Sequence, residues 1–531
     1  MMLTNPNALY LLVGLASLTL AAVQQNLTVK TRTGTFIGNL NDTYPDVRQF
    51  KFIPYAKPPV GALRWTPPQP LDNSSEVIDS TTFGPSCSQY VSAVPTAWAL
   101  NITGNLIVNY GESLLAGQVA QNSAEDCLTL AIWTPANATA DSKLPVIHFL
   151  TGGGDVTGGI NIPTQLPANW VHNSQAHIVV TTNYRVNIFS YPNARGLNGV
   201  TNFGLRDQRT AVEWIRENVA SFGGDPSKIT LWGQSAGASA TDMYLFAYPE
   251  DPIIRASVSS SGEAIGRGQN PDIATGSNFT FVAKSLGCDF EDAALELQCM
   301  RRVPMPRIEN FVGQYQDNST LVVNSSQPAI AFTRAVDNVT VFANYTERYL
   351  NGQIAKLPKI IGTTAREASA LDPYPINNVA AGPNETLVVV NTLATVCAAH
   401  NTTVLRNQID LPTFRYEWGG NFSDLTGGVT WLGAYHYSDL YMLFGSYLIN
   451  PLPPTDPLEA NTSRVMQNFL LDFVKDPTSL PRSGWPEYQT GAENGGQIAQ
   501  FGADGQAFKL VSGDSVEAAC HIPGAVYNTT P

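Results

Sequence analysis

The chain has 531 residues, of which 43% are hydrophobic, 10% aromatic and only 14% charged. This hydrophobic share is typical of a globular protein and excludes an intrinsically disordered chain. Acidic residues outnumber basic ones by 43 to 30, so the net charge is −13, and no dense basic run occurs. Because such a surface repels a polyanion, the composition argues against nucleic-acid binding.

The N-terminus predicts a secreted, extracellular protein. Residues 8–23 (ALYLLVGLASLTLAAV) form an apolar run that ends in small residues. The run is short for a bilayer span, which needs about 20 residues. We therefore interpret residues 1–23 as a signal peptide, although no Lys or Arg precedes the run. The alternative is a short membrane anchor.

Asn-x-Ser/Thr sequons support export, because glycans on such sites mark surface loops of secreted proteins. The candidate glycosylation sites are Asn26, Asn41, Asn73, Asn101, Asn137, Asn278, Asn318, Asn324, Asn338, Asn344, Asn384, Asn401, Asn421, Asn461 and Asn528.

Six cysteines occur, and in an oxidising compartment this even number predicts three disulfides. Their order along the chain leaves the pairing open. No Cys-x-x-Cys or His-x₃-His spacing is present, so we expect no metal site. No cofactor is expected either.

The N-terminal half alternates strand and helix patterns. Short apolar or β-branched runs at 144–150, 176–183 and 229–232 predict strands, and apolar residues at helical spacing over 204–219 predict a helix. This order predicts an α/β fold with a parallel sheet, whose ligand sites lie at the carboxyl ends of the strands. No linker or repeat divides the chain, so we expect one domain over 24–531.

The pentapeptide Gly233-Gln234-Ser235-Ala236-Gly237 directly follows the third of these strands and leads into a helical pattern. A nucleophile elbow needs this setting, because its serine occupies a sharp turn and the flanking glycines let neighbouring backbone approach. We therefore predict Ser235 as a nucleophile. The alternative is a serine that only caps the helix.

A glycine triplet, Gly152-Gly153-Gly154, follows the predicted strand over 144–150. Its backbone N–H groups, together with that of Ala236, would form an oxyanion hole for a tetrahedral intermediate. The alternative is a flexible glycine loop.

A serine nucleophile also needs a base and an acid, which follow it in chain order in the elbow fold. Of the six histidines, three precede Ser235; His400 adjoins a sequon and is expected at the surface, and His521 adjoins Cys520. His436, in a loop leading into a helix, is the predicted base, the alternative being a structural histidine whose hydrogen bonds are satisfied. Glu367, at the end of the strand pattern KIIGTT, is the predicted acid, the alternative being a solvated glutamate paired with Arg366.

These motifs, with several longer blocks, resemble the cholinesterase/type-B carboxylesterase–lipase family of α/β-hydrolases, with the chain similar to its secreted fungal lipases. The blocks are FIPYAKPPVG at 52–61, SAEDCLTL at 123–130, NYR at 183–185, NFGLRDQ at 202–208 and FGGDP at 222–226. The resemblance implies a large, mostly parallel central sheet flanked by helices, with cap or lid insertions.

The same resemblance assigns roles to individual residues. It implies Ser235, Glu367 and His436 as the catalytic triad and Gly153, Gly154 and Ala236 as the oxyanion donors. It also implies the disulfide pairs Cys87–Cys127, Cys288–Cys299 and Cys397–Cys520.

Four departures from the family pattern matter for function. Thr151 and Asp155 flank the glycine triplet where aromatic residues (or, at the first position, His) are usual, and we expect Asp155 to face away from the oxyanion or to be hydrogen-bonded. Gln234 replaces the Glu of cholinesterases. No Trp stands just before Cys127, so choline esters are not expected. The Glu367–His436 connection is short, which predicts a reduced helical cap.

The sequence therefore predicts a secreted serine carboxylic-ester hydrolase, a carboxylesterase or lipase acting on small-molecule or lipid esters. One alternative is an esterase for bulky sterol, feruloyl or carotenoid esters; another is a non-catalytic adhesion or binding protein. The largely apolar 87–127 segment is either a lid that contacts a lipid interface or a fixed disulfide loop. The oligomeric state is left open.

Overall fold

The computed structural model describes residues 27–102, 116–266, 276–321, 329–449, 456–492 and 495–531. The predicted signal peptide 1–23, the sequons at Asn26 and Asn324, and residues 103–115 of the 87–127 segment lie outside these ranges.

The described residues form eighteen strands. In chain order they are β1 Thr28–Lys30, β2 Thr35–Ile37, β3 Asn39–Leu40, β4 Val47–Pro54, β5 Val77–Asp79, β6 Ser86–Cys87, β7 Tyr90–Val91, β8 Gln118–Val119, β9 Ser123–Ala124, β10 Thr129–Pro135, β11 Leu144–Leu150, β12 Ile178–Thr182, β13 Gly224–Gln234, β14 Ala256–Ser260, β15 Lys359–Thr364, β16 Thr413–Trp418, β17 Gln497–Phe501 and β18 Phe508–Ser512.

Eleven of these strands make one central sheet, in the order β18-β17-β16-β15-β14-β13-β11-β12-β10-β4-β3. The strands from β12 to β17 pair in parallel, and antiparallel strands extend the sheet at both edges. The mostly parallel α/β-hydrolase sheet is thereby confirmed, including the predicted strand over 144–150, which is β11. Smaller sheets join β1-β2-β5, β6-β9 and β7-β8.

The sheet is buried on both faces. Successive side chains of each strand point to opposite faces, and both sets pack into apolar clusters. In β11, Ile147 and Phe149 belong to one apolar cluster, whereas Val146 and Leu150 belong to another. This double burial explains why the central strands read as continuous apolar runs in the sequence.

The helices cover these faces and bracket the loops at the strand ends. They are α1 Ala97–Leu100, α2 Ala168–Ser174, α3 Asn187–Ser190, α4 Phe203–Asn218, α5 Ala236–Ala247, α6 Ser277–Ser285, α7 Ala293–Met300, α8 Met305–Leu321, α9 Tyr345–Leu350, α10 Glu385–Gln408, α11 Asp439–Phe444, α12 Pro457–Lys475 and α13 Gly513–Glu517. Short 3₁₀ turns connect several of them.

Helix α10 alone, among the described helices, is long and apolar enough to cross a membrane by length and composition. It packs instead as part of the folded protein. Cys397 on this helix is bonded to Cys520, and the buried Arg406 donates to the carbonyl of Leu357. The other two disulfides join Cys87 to Cys127 and Cys288 to Cys299, as the resemblance implies.

Candidate active site

Ser235 lies in a strained turn between β13 and α5. Its backbone φ and ψ are 56° and −121°, a conformation that residues with a Cβ rarely adopt. The two glycines of the motif make this turn possible. A Cβ on Gly233 would lie 2.1 Å from the Gly237 carbonyl oxygen, and one on Gly237 would lie 2.2 Å from that of Leu150. The Ser235 backbone N–H donates to Ser260 O at 2.8 Å, which fixes the turn to β14.

The glycine triplet leaves the end of β11 and passes directly beside the serine. A Cβ on Gly152 would lie 2.8 Å from the Ser235 Cβ, so only glycine allows this approach. Gly153 and Gly154 have φ values of 119° and 64°. Among the described residues, the N–H groups of Gly153, Gly154 and Ala236 have no hydrogen-bond acceptor. They are therefore available to an oxyanion near Ser235.

Glu367 and His436 meet at the carboxyl ends of the neighbouring strands β15 and β16. The Nδ1 of His436 lies 2.5 Å from Oε2 of Glu367, and the Thr364 N–H donates to Oε1 at 2.8 Å. Both side chains are buried, with 1% of Glu367 and 7% of His436 exposed. The alternative of a solvated Glu367 paired with Arg366 is wrong, because Arg366 pairs with Glu385 instead.

Hydrogen bonds join the loop of Glu367, the predicted acid loop, to the loop of His436, the predicted base loop. The Arg366 N–H donates to Ala434 O at 3.0 Å, and the Ser369 hydroxyl donates to Leu432 O at 2.7 Å. The C-terminal segment also reaches the Glu367 loop, since the Tyr527 hydroxyl donates to Ala365 O. The Arg366 guanidinium donates to the Thr529 hydroxyl. The acid loop is therefore fixed both by the base loop and by residues near the C-terminus.

The Nε2 of His436 contacts Gln234, the residue before the predicted nucleophile. The Gln234 amide nitrogen lies 3.1 Å from Nε2 of His436. Among the described residues, it is the hydrogen-bond partner of this ring nitrogen. Because an amide nitrogen can only donate, Nε2 carries a lone pair and Nδ1 carries the proton. Ser235 Oγ makes no hydrogen bond to Nε2 in this arrangement.

A second buried carboxylate, Asp439, lies close to Glu367 and His436 and was missed by the sequence reasoning. The Tyr416 hydroxyl donates to Asp439 Oδ2 at 2.7 Å and contacts Ser260 Oγ at 2.8 Å. The pKa of Asp439 is raised to about 6, chiefly by burial and also by the Glu367 charge, against the opposing hydrogen bond from Tyr416. The available signal was an acidic residue three positions after His436 at the start of the apolar helix α11.

Asp155 is held by hydrogen bonds, as its position beside the oxyanion glycines led us to expect. Its Oδ1 accepts from Nη2 of Arg334 at 2.6 Å and from the Tyr191 hydroxyl at 3.2 Å. Arg334 also donates to the carbonyl of Ala236 at 2.7 Å. No sequence motif marks Arg334, so nothing in the sequence identified it as the partner.

The described stems of the 87–127 segment, residues 87–102 and 116–127, are attached to helix α8. Asp317 accepts hydrogen bonds from Tyr90, Ser92 and the Ala93 N–H, and Asn310 accepts from the Val119 N–H. Near the other end of the first stem, Trp98 on α1 packs edge-on against Tyr435 and Tyr437, the neighbours of His436. This segment therefore contacts the base loop directly.

Two further groups of predicted residues can be placed. Of the sequon asparagines within the described ranges, Asn41, Asn101 and Asn278 are half-buried and the others are exposed.

The expectation that His400 lies at the surface is wrong. His400 is buried and its Nδ1 lies 3.0 Å from Glu517, because α10 packs against the C-terminal segment near the Cys397–Cys520 bridge.

Comparison with known proteins places this geometry in a family. Residues 25–386 match the model of the "Carboxylesterase family". The chain is 37% identical over 515 residues to a chlorogenic acid esterase from Aspergillus niger, covering 93% of this chain and 94% of that protein. It is 35% identical over 516 residues to Secreted lipase 5 from Gibberella zeae, with the same two coverages. Liver carboxylesterase 1 from Oryctolagus cuniculus is 28% identical over 341 residues, covering 62% of this chain and 57% of that protein. The chain belongs to the carboxylesterase family and is a carboxylic ester hydrolase.

Proposed function

We propose that the protein is a secreted serine carboxylesterase in which Ser235, His436 and Glu367 form the catalytic triad. The observation that carries this proposal is the 2.5 Å contact between Glu367 and His436 Nδ1, which fixes the imidazole in the tautomer that a general base needs. Ser235 lies in the turn directly after β13, beside the free N–H groups of Gly153 and Gly154, which supports its role as the nucleophile.

The residues perform the reaction in two steps. His436 Nε2 takes the Ser235 proton as Oγ attacks the ester carbonyl, and the N–H groups of Gly153, Gly154 and Ala236 stabilise the oxyanion. The leaving alcohol receives the proton from His436. Water then repeats the attack on the acyl-enzyme and releases the acid. The Gln234 amide must leave Nε2 before the first proton transfer, so substrate binding has to displace it.

Labelling with a fluorophosphonate probe tests the nucleophile. We expect the wild type to be labelled covalently, and Ser235→Ala to retain its fold but lose both labelling and ester hydrolysis. Ser239→Ala, in the next turn of α5, is the matched control and should label normally. Equal labelling of Ser235→Ala and the wild type would overturn the assignment.

Among ester classes, we propose soluble esters of aromatic acids with hydroxylated alcohols, a feruloyl-type activity. A cavity of about 380 Å³ adjoins Gly154, and its lining mixes polar residues such as Asp155, Thr333 and Arg334 with apolar ones such as Ile265 and Phe342. A lining of this mixed kind suits an aromatic ring that carries hydroxyl groups. The relative from Aspergillus niger is named for chlorogenic acid, an ester of this class.

The contacts of the 87–127 stems with α8 and with the base loop favour a fixed disulfide loop over a lid. A substrate panel tests both points. With p-nitrophenyl esters of increasing chain length, a feruloyl ester, a sterol ester and a triglyceride emulsion, we expect smooth saturation and preference for the feruloyl and short esters. A sharp rise in rate above the solubility limit of a long-chain ester would instead show a lipase lid.

Secretion belongs to the same proposal. The leader at 1–23, the exposed sequon asparagines and the three disulfides support an oxidising, extracellular location. Two relatives, from Gibberella zeae and Botryotinia fuckeliana, are named as secreted lipases.

A further inference from the structure

We propose that Asp155 and Arg334 are positioning residues that hold the two halves of the oxyanion hole at a fixed separation. This inference rests on the proposed serine mechanism, because its effect is expressed only when an oxyanion forms. Asp155 directly follows Gly154, and Ala236 directly follows Ser235, so the two halves come from the loops after β11 and β13.

A single nitrogen atom joins these loops. Arg334 Nη2 donates to Asp155 Oδ1 at 2.6 Å and to Ala236 O at 2.7 Å. The first contact anchors the glycine loop, and the second anchors the backbone of the other oxyanion donor. A change in either contact alters the distance between the N–H groups of Gly154 and Ala236.

The surroundings of the pair give it little freedom to move. Only 8% of the Arg334 side chain and 13% of the Asp155 side chain are exposed. The Asp155 carbonyl accepts the Asn187 N–H at 2.7 Å, and its backbone is held in the left-handed region at a φ of 67°. On the other side, Arg334 Nη1 contacts the Met243 sulfur on α5. Both ends of the bridge are therefore held by further contacts.

Two physical requirements explain such a bridge. Oxyanion donors stabilise the transition state only when they lie about 2.7–3.1 Å from the position of the oxyanion, so small displacements are costly. In addition, an unpaired Asp155 carboxylate beside Gly154 would oppose the developing negative charge. Arg334 neutralises this charge and turns the carboxylate into a structural anchor.

The test compares Arg334→Met, Arg334→Lys and Asp155→Asn with a matched control, Glu125→Gln. Glu125 forms a similarly buried pair with Arg64, with 11% and 6% of the side chains exposed, and Arg64 also donates to backbone carbonyls. For each variant we would measure kcat and KM on p-nitrophenyl acetate, the unfolding temperature, and the inhibition constant of a trifluoromethyl ketone, which forms a tetrahedral adduct with an active serine.

We expect Arg334→Met to lower kcat by roughly tenfold or more, with KM nearly unchanged, since removing a complete oxyanion donor costs about 100-fold to 1000-fold. The affinity for the trifluoromethyl ketone should fall in parallel. Arg334→Lys should recover part of both losses, because the ammonium keeps the positive charge beside Asp155 but lacks the planar guanidinium. Glu125→Gln should lose stability without either change.

Several results would overturn the inference. An unchanged kcat and ketone affinity in folded Arg334→Met would do so, as would an equal loss in Glu125→Gln. A rise in kcat in Asp155→Asn would show that the carboxylate merely opposes the oxyanion. If Arg334→Met fails to fold, Asp155→Asn still separates these outcomes. Failure of the serine mechanism itself is distinct, because it would appear as fluorophosphonate labelling that Ser235→Ala does not abolish.

Discussion

His436 is held at both ring nitrogens, which is the main feature of the site at the scale of single residues. Glu367 accepts from Nδ1, and Gln234 donates to Nε2. The ring is therefore fixed in orientation and tautomer before substrate arrives. In the proposed mechanism, the second contact also shields the Nε2 lone pair that receives the Ser235 proton, so we expect the residue at position 234 to influence how easily His436 acquires that proton.

Replacing Gln234 by Glu would place a carboxylate beside Nε2. An ionised carboxylate at about 3 Å favours the imidazolium, so the acidic limb of kcat/KM against pH should move upward by about one pH unit in Gln234→Glu. Gln234→Met, of similar size but neutral, is the control and should leave that limb in place. Superimposable pH profiles for Gln234→Glu and the wild type would contradict the contact with Nε2.

At the scale of secondary structure, helix α8 holds the described parts of the 87–127 segment. Besides Asp317 and Asn310, it carries Glu309, which is fully buried beside Ser88 and Asn187. Burial raises the pKa of Glu309 from its ordinary 4.5 to about 8. The folded protein therefore keeps a proton on this group over a pH range in which the unfolded chain has lost it.

This difference in proton binding makes stability fall as the pH rises from about 4.5 to about 8. In Glu309→Gln the neutral amide removes that dependence, so we expect the variant to lose less stability between pH 5 and pH 8, by up to about 4 kcal/mol. Urea unfolding of both proteins at pH 5 and at pH 8 measures this difference in stability. Glu291→Gln, which removes an exposed acid, serves as the control and should follow the wild type. Parallel losses in Glu309→Gln and the wild type would show that the group ionises freely in the fold.

At the scale of the whole molecule, the sequence predicted the elements that are buried on both faces. Strand β11 coincides with the predicted run, and α4 differs from its predicted helix by one residue at each end. The antiparallel edge strands and the small sheets were not predicted. Their pairing depends on contacts between distant segments rather than on a continuous apolar run.

In the active site, too, the residues in local motifs could be predicted from the sequence, whereas the contacts between distant segments could not. Ser235, the glycine triplet, Glu367 and His436 could be proposed because each follows a recognisable strand or motif. Arg334 could not, because it meets Asp155 from 179 positions away and stands in no motif. Asp439 and the contact of Gln234 with His436 were likewise missed, since they depend on how the loops after β13 and β16 fold against each other.

The attachment of Tyr527 and Thr529 to the loop of Glu367 has a consequence for biosynthesis. The serine and its oxyanion loop leave the ribosome early, but the acid loop gains its last supports only when the segment around 527–529 has emerged. At about 5–20 residues per second, this interval is roughly 15 to 60 seconds. During it, the loop of Glu367 lacks its contacts with Tyr527 and Thr529, so we expect the proposed triad to reach full activity only after this segment has emerged and folded.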